Sequence, residues 1–255
     1  LQALVEEQKR VDAHSKMMDT MHELVEGMTT EGICQRLEHL QFEKGQDIFA
    51  VQWTDLFRMA RTGDIRGIRY FLEDMKINPN IQDDRGDTAL NIAAATGQHM
   101  AAAELVKRGA DTMLKNNKGW TPAHSAATHD DREMILLLAE SGADLRLPDI
   151  TGATSAHLAA SANGSNAIQA IHECCKEKGA EALSAHAHNG ATPAHVAANF
   201  DNMEVLRTLH SLGVDFDAQD KMGDTPAHKA ARGNHVTTLS FLQAVQADMN
   251  IPNDE

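Results

Sequence analysis

The amino-acid sequence predicts an all-α solenoid, about six helix-turn-helix units stacked side by side and joined by hairpin-like loops. Three observations predict it. A helix-start phrase recurs as "GWTPAHSAATHDD" at 119–131, "GATPAHVAANFDN" at 190–202 and "GDTPAHKAARGNH" at 223–235, with looser copies "GDTALNIAAATGQ" at 86–98 and "GATSAHLAASANG" at 152–164. The chain is 42% apolar but only 4% aromatic, which favours close helix contacts between small residues over a ring-filled core. The apolar residues that follow each phrase are spaced as on one face of a helix.

Each part of the phrase has a local reason. In "GDTPAH", Gly223 permits a tight turn, Thr225 caps the coming helix through its hydroxyl, and Pro226 stands at the first helical position, where a missing N–H is harmless. Pro122 and Pro193 repeat the device, while Ser155 and Ala89 replace it in the looser copies. Aligned on Thr, the units start near 88, 121, 154, 192 and 225, with Thr54 in "TDLFRMARTGD" one step earlier. Nine residues after each Thr the first helix must reverse into the second, and the occupants are Gly63, Gly97, Asp130, Asn163, Asp201 and Asn234. These are the residue types that best tolerate a left-handed backbone.

The second helix of each unit presents its core positions five, eight and nine residues farther on. They are Ile68, Phe71 and Leu72, then Ala102, Leu105 and Val106, then Ile135, Leu138 and Ala139, and the pairs Ile168/Ile171, Leu206/Leu209 and Leu239/Leu242 continue the series. "GAD" at 109–111 and 142–144, "GVD" at 213–215 and "QAD" at 246–248 close it. The fourth unit is lengthened. The step from Thr154 to Thr192 exceeds the others, and an extra turn takes about four residues without changing the helical face. The second helix is therefore expected to run one turn longer through "ECCKEKGAE", with a protrusion on the back of the array near 175–188.

A period of about 33 residues with a Thr-Pro-x-His helix start resembles the ankyrin repeat, a β-turn plus two antiparallel helices. The resemblance covers residues 54–255. It implies a non-enzymatic protein-interaction scaffold or adaptor that uses the concave face and hairpin tips within a larger assembly, with no shared cofactor and no catalytic centre. The alternative is a regulatory ankyrin segment of a longer protein whose catalytic or membrane domain lies outside this sequence. One departure stands out: Ala123, Ala156, Ala194 and Ala227 replace the usual Leu before the motif His, so the curvature of the array is not carried over from the family.

Residues 1–53 do not carry the repeat. Leu4, Val11, Met18 and Val25 recur at seven, joined by Met21 and Met28, and a second short helix places Ile33, Leu37 and Leu40 on one face. This N-terminal helical extension either covers the first unit or forms a coiled coil with another chain, although Glu7 and His14 occupy positions a good seam fills with Leu. The opening "LQALVEEQKR" and the ending at "NIPNDE" read as a piece of a longer protein.

Charge and cysteine usage narrow the partners. A formal net charge of −14 repels phosphate backbones and anionic membranes, which points away from nucleic acid and toward protein partners with neutral or basic surfaces. No apolar run reaches the roughly 18 residues of a membrane span. Cys34, Cys174 and Cys175 are an odd count with two adjacent, which suits a reducing, cytoplasmic compartment better than a secreted disulfide framework.

Within the resemblance, positions one, four and five after the motif His line the concave face, because the Ala pair between them is needed for close packing. Candidate contacts are apolar Leu158 and Val196, polar Thr128, His129 and Asn199, basic Lys229 and Arg232, and the aromatic Phe200. Trp120 joins them as a large ring at a position held elsewhere by Asp87, Ala153, Ala191 and Asp224. The plainer reading has Trp120 covering the next hairpin and Phe200 lying over the next helix.

Fourteen histidines raise a metal reading. His124, His157, His195 and His228 are the motif His, whose recurrence is accounted for by hydrogen bonding in the turn, and Phe57 and Asn91 share their column. "HECC" at 172–175 with "HAHNG" at 186–190 matches no common zinc spacing. No phosphate-binding Gly loop, Gly-x-Ser-x-Gly or His-Glu-x-x-His motif is present, so neither metal nor catalytic residues are assigned.

Overall fold

The structure, a computed structural model, describes residues 48–175 and 179–254, with side chains from Asp55 onward. The capping or coiled-coil helices expected in the N-terminal extension fall outside the described residues. The compact unit Trp53–Glu255 holds the helix pairs, except for the first turn of the first helix, which begins before it. They are α1 (Ile48–Thr62) with α2 (Ile65–Arg69), α3 (Ala89–Ala95) with α4 (His99–Lys107), α5 (Pro122–Thr128) with α6 (Arg132–Glu140), α7 (Ser155–Ser161) with α8 (Ser165–Cys174), α10 (Pro193–Asn199) with α11 (Met203–Ser211), and α12 (Pro226–Arg232) with α13 (Val236–Ala244). A short α9 (Gly179–Leu183) follows α8, and α2 continues into a wider π-type turn over Tyr70–Asp74. The described residues contain helices and turns and no strand.

The repeated phrase builds the same start five times. Thr88, Thr121, Thr154, Thr192 and Thr225 are all extended, and each forms a two-way cap with the residue three farther on. At the far end of each first helix the chain turns through a left-handed residue. Gly63, Gly97, Asp130, Asn163, Asp201 and Asn234 all have positive φ, between 53° and 74°. Those are the six positions the sequence singles out. Without a Cβ or with a short polar side chain, this geometry is tolerated, and elsewhere it is strained.

First helices stack on first helices, α3 on α5, α5 on α7, α7 on α10 and α10 on α12, while α4, α6, α8 and α11 form the second layer. Small residues make the first stack: Ala93, Ala94, Ala126, Ala127, Ala159, Ala160, Ala197 and Ala198 are fully buried. Ala123, Ala156 and Ala194 are also sealed. The bulk that these alanines lack comes from the second layer, where Leu105, Met134, Ile135, Leu138, Ile168, Ile171, Leu206 and Leu209 are all fully buried. Each pair thus covers its neighbour's apolar face, as a unit too small to hold its own core requires.

Two expectations are corrected. Helix α1 runs through Thr54 instead of starting there, because residues 48–53 contain no Gly or Pro to stop the helix from growing toward the N-terminus. The fourth unit is lengthened differently from the expectation. Helix α8 has 10 residues against nine in α6 and α11, and the remaining insertion forms the separate α9. This helix packs on α8 and buries Ala182 and Leu183. These two adjacent buried apolar side chains draw the insert onto the array, so it covers the back as well as lengthening it.

Ser155 occupies the position that Pro122, Pro193 and Pro226 take elsewhere, and its buried hydroxyl has no hydrogen-bond partner. The preceding Thr154 is extended at φ −93° and ψ 173°, as a residue before proline prefers. Ser155→Pro is expected to stabilise the protein by about 0.4–1 kcal/mol, measured by urea denaturation; a loss of stability would show that the ring does not fit. Leu138→Ala, in the same assay, is expected to destabilise by about 2–5 kcal/mol as a fully buried truncation.

Candidate functional site

The helix-capping histidines explain how hairpins and helices are held together. His124 Nδ1 accepts the Thr121 N–H at 3.1 Å and faces the Thr121 hydroxyl at 2.9 Å, which fixes the start of α5. Its Nε2 reaches the Ala153 carbonyl of the next hairpin at 3.3 Å. His157 bonds the Ala191 carbonyl at 2.9 Å and His195 the Asp224 carbonyl at 2.8 Å in the same way. Each ring accepts at one nitrogen and donates at the other, so it is neutral. Burial lowers the pKa of all three rings, against the opposing pull of those carbonyls. Asn91 does the same work with an amide, taking the Thr88 N–H at 3.1 Å and donating to the Trp120 carbonyl at 3.3 Å.

Between the hairpins and first helices of the fourth, fifth and sixth units lie two adjoining clefts. The larger, about 420 Å³, is lined by Thr151 and Ala153, by Ala187, His188, Asn189 and Ala191, and by His157, Leu158, Ser161 and Val196. The smaller, about 240 Å³, shares Asn189, Ala191 and Val196 and continues past His195, Asn199 and Phe200 to Lys229 and Arg232. Together they form one trough. Leu158 and Val196 are half-buried in its floor, and Phe200 is 57% exposed at its edge.

The two cations of the trough are already matched. Lys229 Nζ lies 2.6 Å from Asp220 Oδ2 and 2.7 Å from Asp224 Oδ2, and Arg232 Nη1 lies 2.7 Å from Asp224 Oδ2. Asn253 donates to the other Asp224 oxygen at 2.9 Å. Asp224 is fully buried. Burial alone would raise its pKa, but the donors from Asn253, Lys229 and Arg232 outweigh it and hold the carboxyl well below the usual range. Asp220 is shifted the same way for a similar reason, and its donors are Lys229 and two backbone N–H groups. Burial opposes the charge on Lys229, yet the two carboxylates hold its pKa above the ordinary value.

Six of the candidates from the sequence, Leu158, Val196, Asn199, Phe200, Lys229 and Arg232, line this trough. The other three lie in the third unit. Trp120 is half-buried, its indole N–H donates to Asp149 Oδ2 at 3.2 Å, and the Lys118 ammonium stands 4.8 Å from the ring centre. Thr128 donates to the Ser125 carbonyl at 2.7 Å, and exposed His129 meets the same carbonyl at 2.9 Å. Asp220, Ala153, Ala187 and His188 are not among the candidate contacts read from the sequence. A comparison down the hairpin columns, alanines against Asp or Asn, carries the signal for them.

Cys174 and Cys175 are half-buried, and burial pushes both thiols up, away from the thiolate a metal would need. Among the described residues, no three His, Cys, Asp or Glu side chains converge to hold a metal ion, and no helix is long and apolar enough to cross a membrane.

Comparison with known proteins agrees with this architecture. A family model of ankyrin repeats in three copies matches residues 56–149, and one of ankyrin repeats in many copies matches residues 194–243. The Notch-regulated ankyrin repeat-containing protein B of Danio rerio is 30% identical over 82 residues, covering 32% of this chain and 74% of that protein. The chain belongs to the ankyrin repeat family. Ankyrin repeats are in general protein-interaction modules. The ankyrin repeat domain-containing protein 13C-A of Xenopus laevis is 25% identical over 127 residues, 48% of this chain and 24% of that protein. The chain thus spans about a quarter of that relative. The crystal structure of the human ASB11 ankyrin repeat domain is similar in fold, with a TM-score of 0.66 at 22% identity over 78% of this chain and 86% of that one.

The neutral rings make the ankyrin stack acid-sensitive. His124, His157 and His195 have folded pKa values below the ordinary 6.5, so the unfolded chain binds more protons as pH falls through that value. Stability is then full above about pH 6.5 and declines below it. The melting temperature is expected to drop between pH 7.5 and 5.5. The triple His→Asn variant, which copies Asn91, is expected to show a flatter profile; an equal slope would assign the acid loss to other groups.

Proposed function

We propose that this chain is a non-enzymatic protein-interaction scaffold or adaptor that binds a partner along the trough formed by its hairpins and first helices. The observation that carries the reading is the convergence of Leu158, Val196, Asn199, Phe200, Lys229 and Arg232 on one continuous surface of the fourth to sixth units. Apolar floor, an exposed aromatic edge and polar rim are the makings of an interface. The net charge of −14 favours a partner with a neutral or basic face. Membership of a larger cytoplasmic assembly follows the same reading. A regulatory segment within a longer protein is the second reading, favoured by the 13C-A relative, most of whose length lies outside the match.

Cross-linking mass spectrometry on the native assembly tests the surface directly. Lys118 and Lys221 are exposed in the hairpins, whereas exposed Lys76 and Lys107 lie at the ends of the second helical segments. Partner cross-links are expected at the first two. Links concentrated on Lys76 and Lys107 would move the interface to the opposite layer. In the same preparation Phe200→Ala is expected to weaken retention of the partner without changing the melting temperature, since this ring is largely exposed.

A further inference from the structure

We propose that the larger cleft is an anchor pocket, which receives one large apolar side chain, of leucine or phenylalanine size, from an extended partner segment whose flanking residues are neutral or basic. The inference rests on the reading of the trough as the partner-binding surface and says what chemistry the partner brings to it.

The pocket exists because a repeated bridge is interrupted. In three of the units the residue before the capping Thr bonds the next hairpin. Asp87 Oδ1 accepts from Asn116 Nδ2 at 2.7 Å, the Trp120 indole donates to Asp149 at 3.2 Å, and Asp224 Oδ1 accepts from Asn253 Nδ2 at 2.9 Å. In the two units between, that column holds Ala153 and Ala191, and the position facing Ala153 is Ala187. No bridge can form there. The cleft of about 420 Å³ is the space left beside these alanines, within the range of pockets that take specific ligands.

The hairpin itself survives the loss of its usual polar brace. Ala187 and Ala191 keep their backbone bond at 2.9 Å, Gly190 donates to Ala187 at 2.8 Å, and Asn189 Oδ1 takes the Ala191 N–H at 3.0 Å. The opening is therefore compatible with a well-formed turn.

The lining decides the guest. Alanine methyls, Leu158 and Val196 supply apolar surface. Among the polar groups, both nitrogens of His157 are occupied, by Thr154 and by the Ala191 carbonyl, the Thr151 hydroxyl donates to Asp149, the Ser161 hydroxyl donates to the Leu158 carbonyl, and the His188 ring and Asn189 amide stand beside them. No Asp, Glu, Lys or Arg lines the pocket. In the adjoining cleft Lys229 and Arg232 are matched by Asp220 and Asp224, so an acidic guest finds no unmatched cation there. Apolar contact is the main reward for binding, with the His188 ring and Asn189 amide beside it, and the charge of −14 over the whole chain favours neutral or basic flanks.

The test uses a phage-displayed library of random dodecapeptides selected on the chain, with the enriched peptides synthesised and titrated against methyl-labelled protein by NMR. Ala153→Asp with Ala187→Asn recreates the Asp87–Asn116 bridge and narrows the cleft using side chains that the fold already accommodates. Leu158→Ser, which copies Ser125 of the third unit, is the second variant should the first prove unstable in a thermal melt. Selected peptides are expected to share one large apolar residue near Lys or Arg, to shift the Leu158 and Val196 methyls, and to lose at least tenfold in affinity on the variant. Peptides that shift third-unit methyls and bind variant and parent equally would overturn the anchor pocket while leaving the broader interaction surface standing. Acidic consensus sequences would overturn the assigned chemistry. Failure to enrich any peptide would overturn both readings.

Discussion

The structure depends on a hydrogen bond that leaves a unit for the next: in the third, fourth and fifth units the motif imidazole, neutral and buried, joins its own helix cap to the carbonyl of the following hairpin. One ring sets two distances. It pins the Thr at the helix start, and it sets how far away the neighbouring hairpin can lie. The alanine columns can touch because this spacing is short. The second layer then provides the volume that the alanines lack. Asn91 shows that the requirement is for an acceptor and a donor on opposite sides of a flat group, and not for imidazole as such.

With the spacing held constant, what varies from step to step is the side chain laid across the hairpins. Where it carries a hydrogen-bonding group, as Asp87, Trp120 and Asp224 do, the step is closed, and where it is alanine the trough opens. The closed steps differ in how they satisfy charge. At the sixth unit two carboxylates are buried against Lys229, Arg232 and Asn253. This arrangement is tolerable only because every ionised oxygen is bonded. Such a cluster orders the end of the trough without giving it a net charge.

Much of the fold was legible from the residues, because helix caps, left-handed reversals and core spacing are all local. The reversal at Asp130 or Asn234 is recognisable from residue type alone. Two features were not. The true start of α1 lies before Thr54, where the absence of a breaker outweighs a capping residue. The extra residues of the fourth unit resemble a longer helix in spacing, but Ala182 and Leu183 give them a second apolar face, and they fold as α9. For the site, the helix positions of Leu158, Val196 and Phe200 followed from periodicity. The pairing of Lys229 and Arg232 with Asp220 and Asp224 did not, since hairpin carboxylates meet helix cations only through the curl of a loop.

Successive hairpins are tied by one backbone bond per step: Asn117 to Arg85, Ile150 to Lys118, His188 to Thr151, Lys221 to Asn189 and Asp254 to Met222, at 2.9–3.2 Å. A seam of hydrogen bonds on one edge, one from backbone and a few from side chains at each step, opposed by a thick slab of interlocked aliphatic residues on the other, makes an uneven beam. Under a bending load such a body yields along the seam first, and each joint gives way by itself, because no tie spans more than one step.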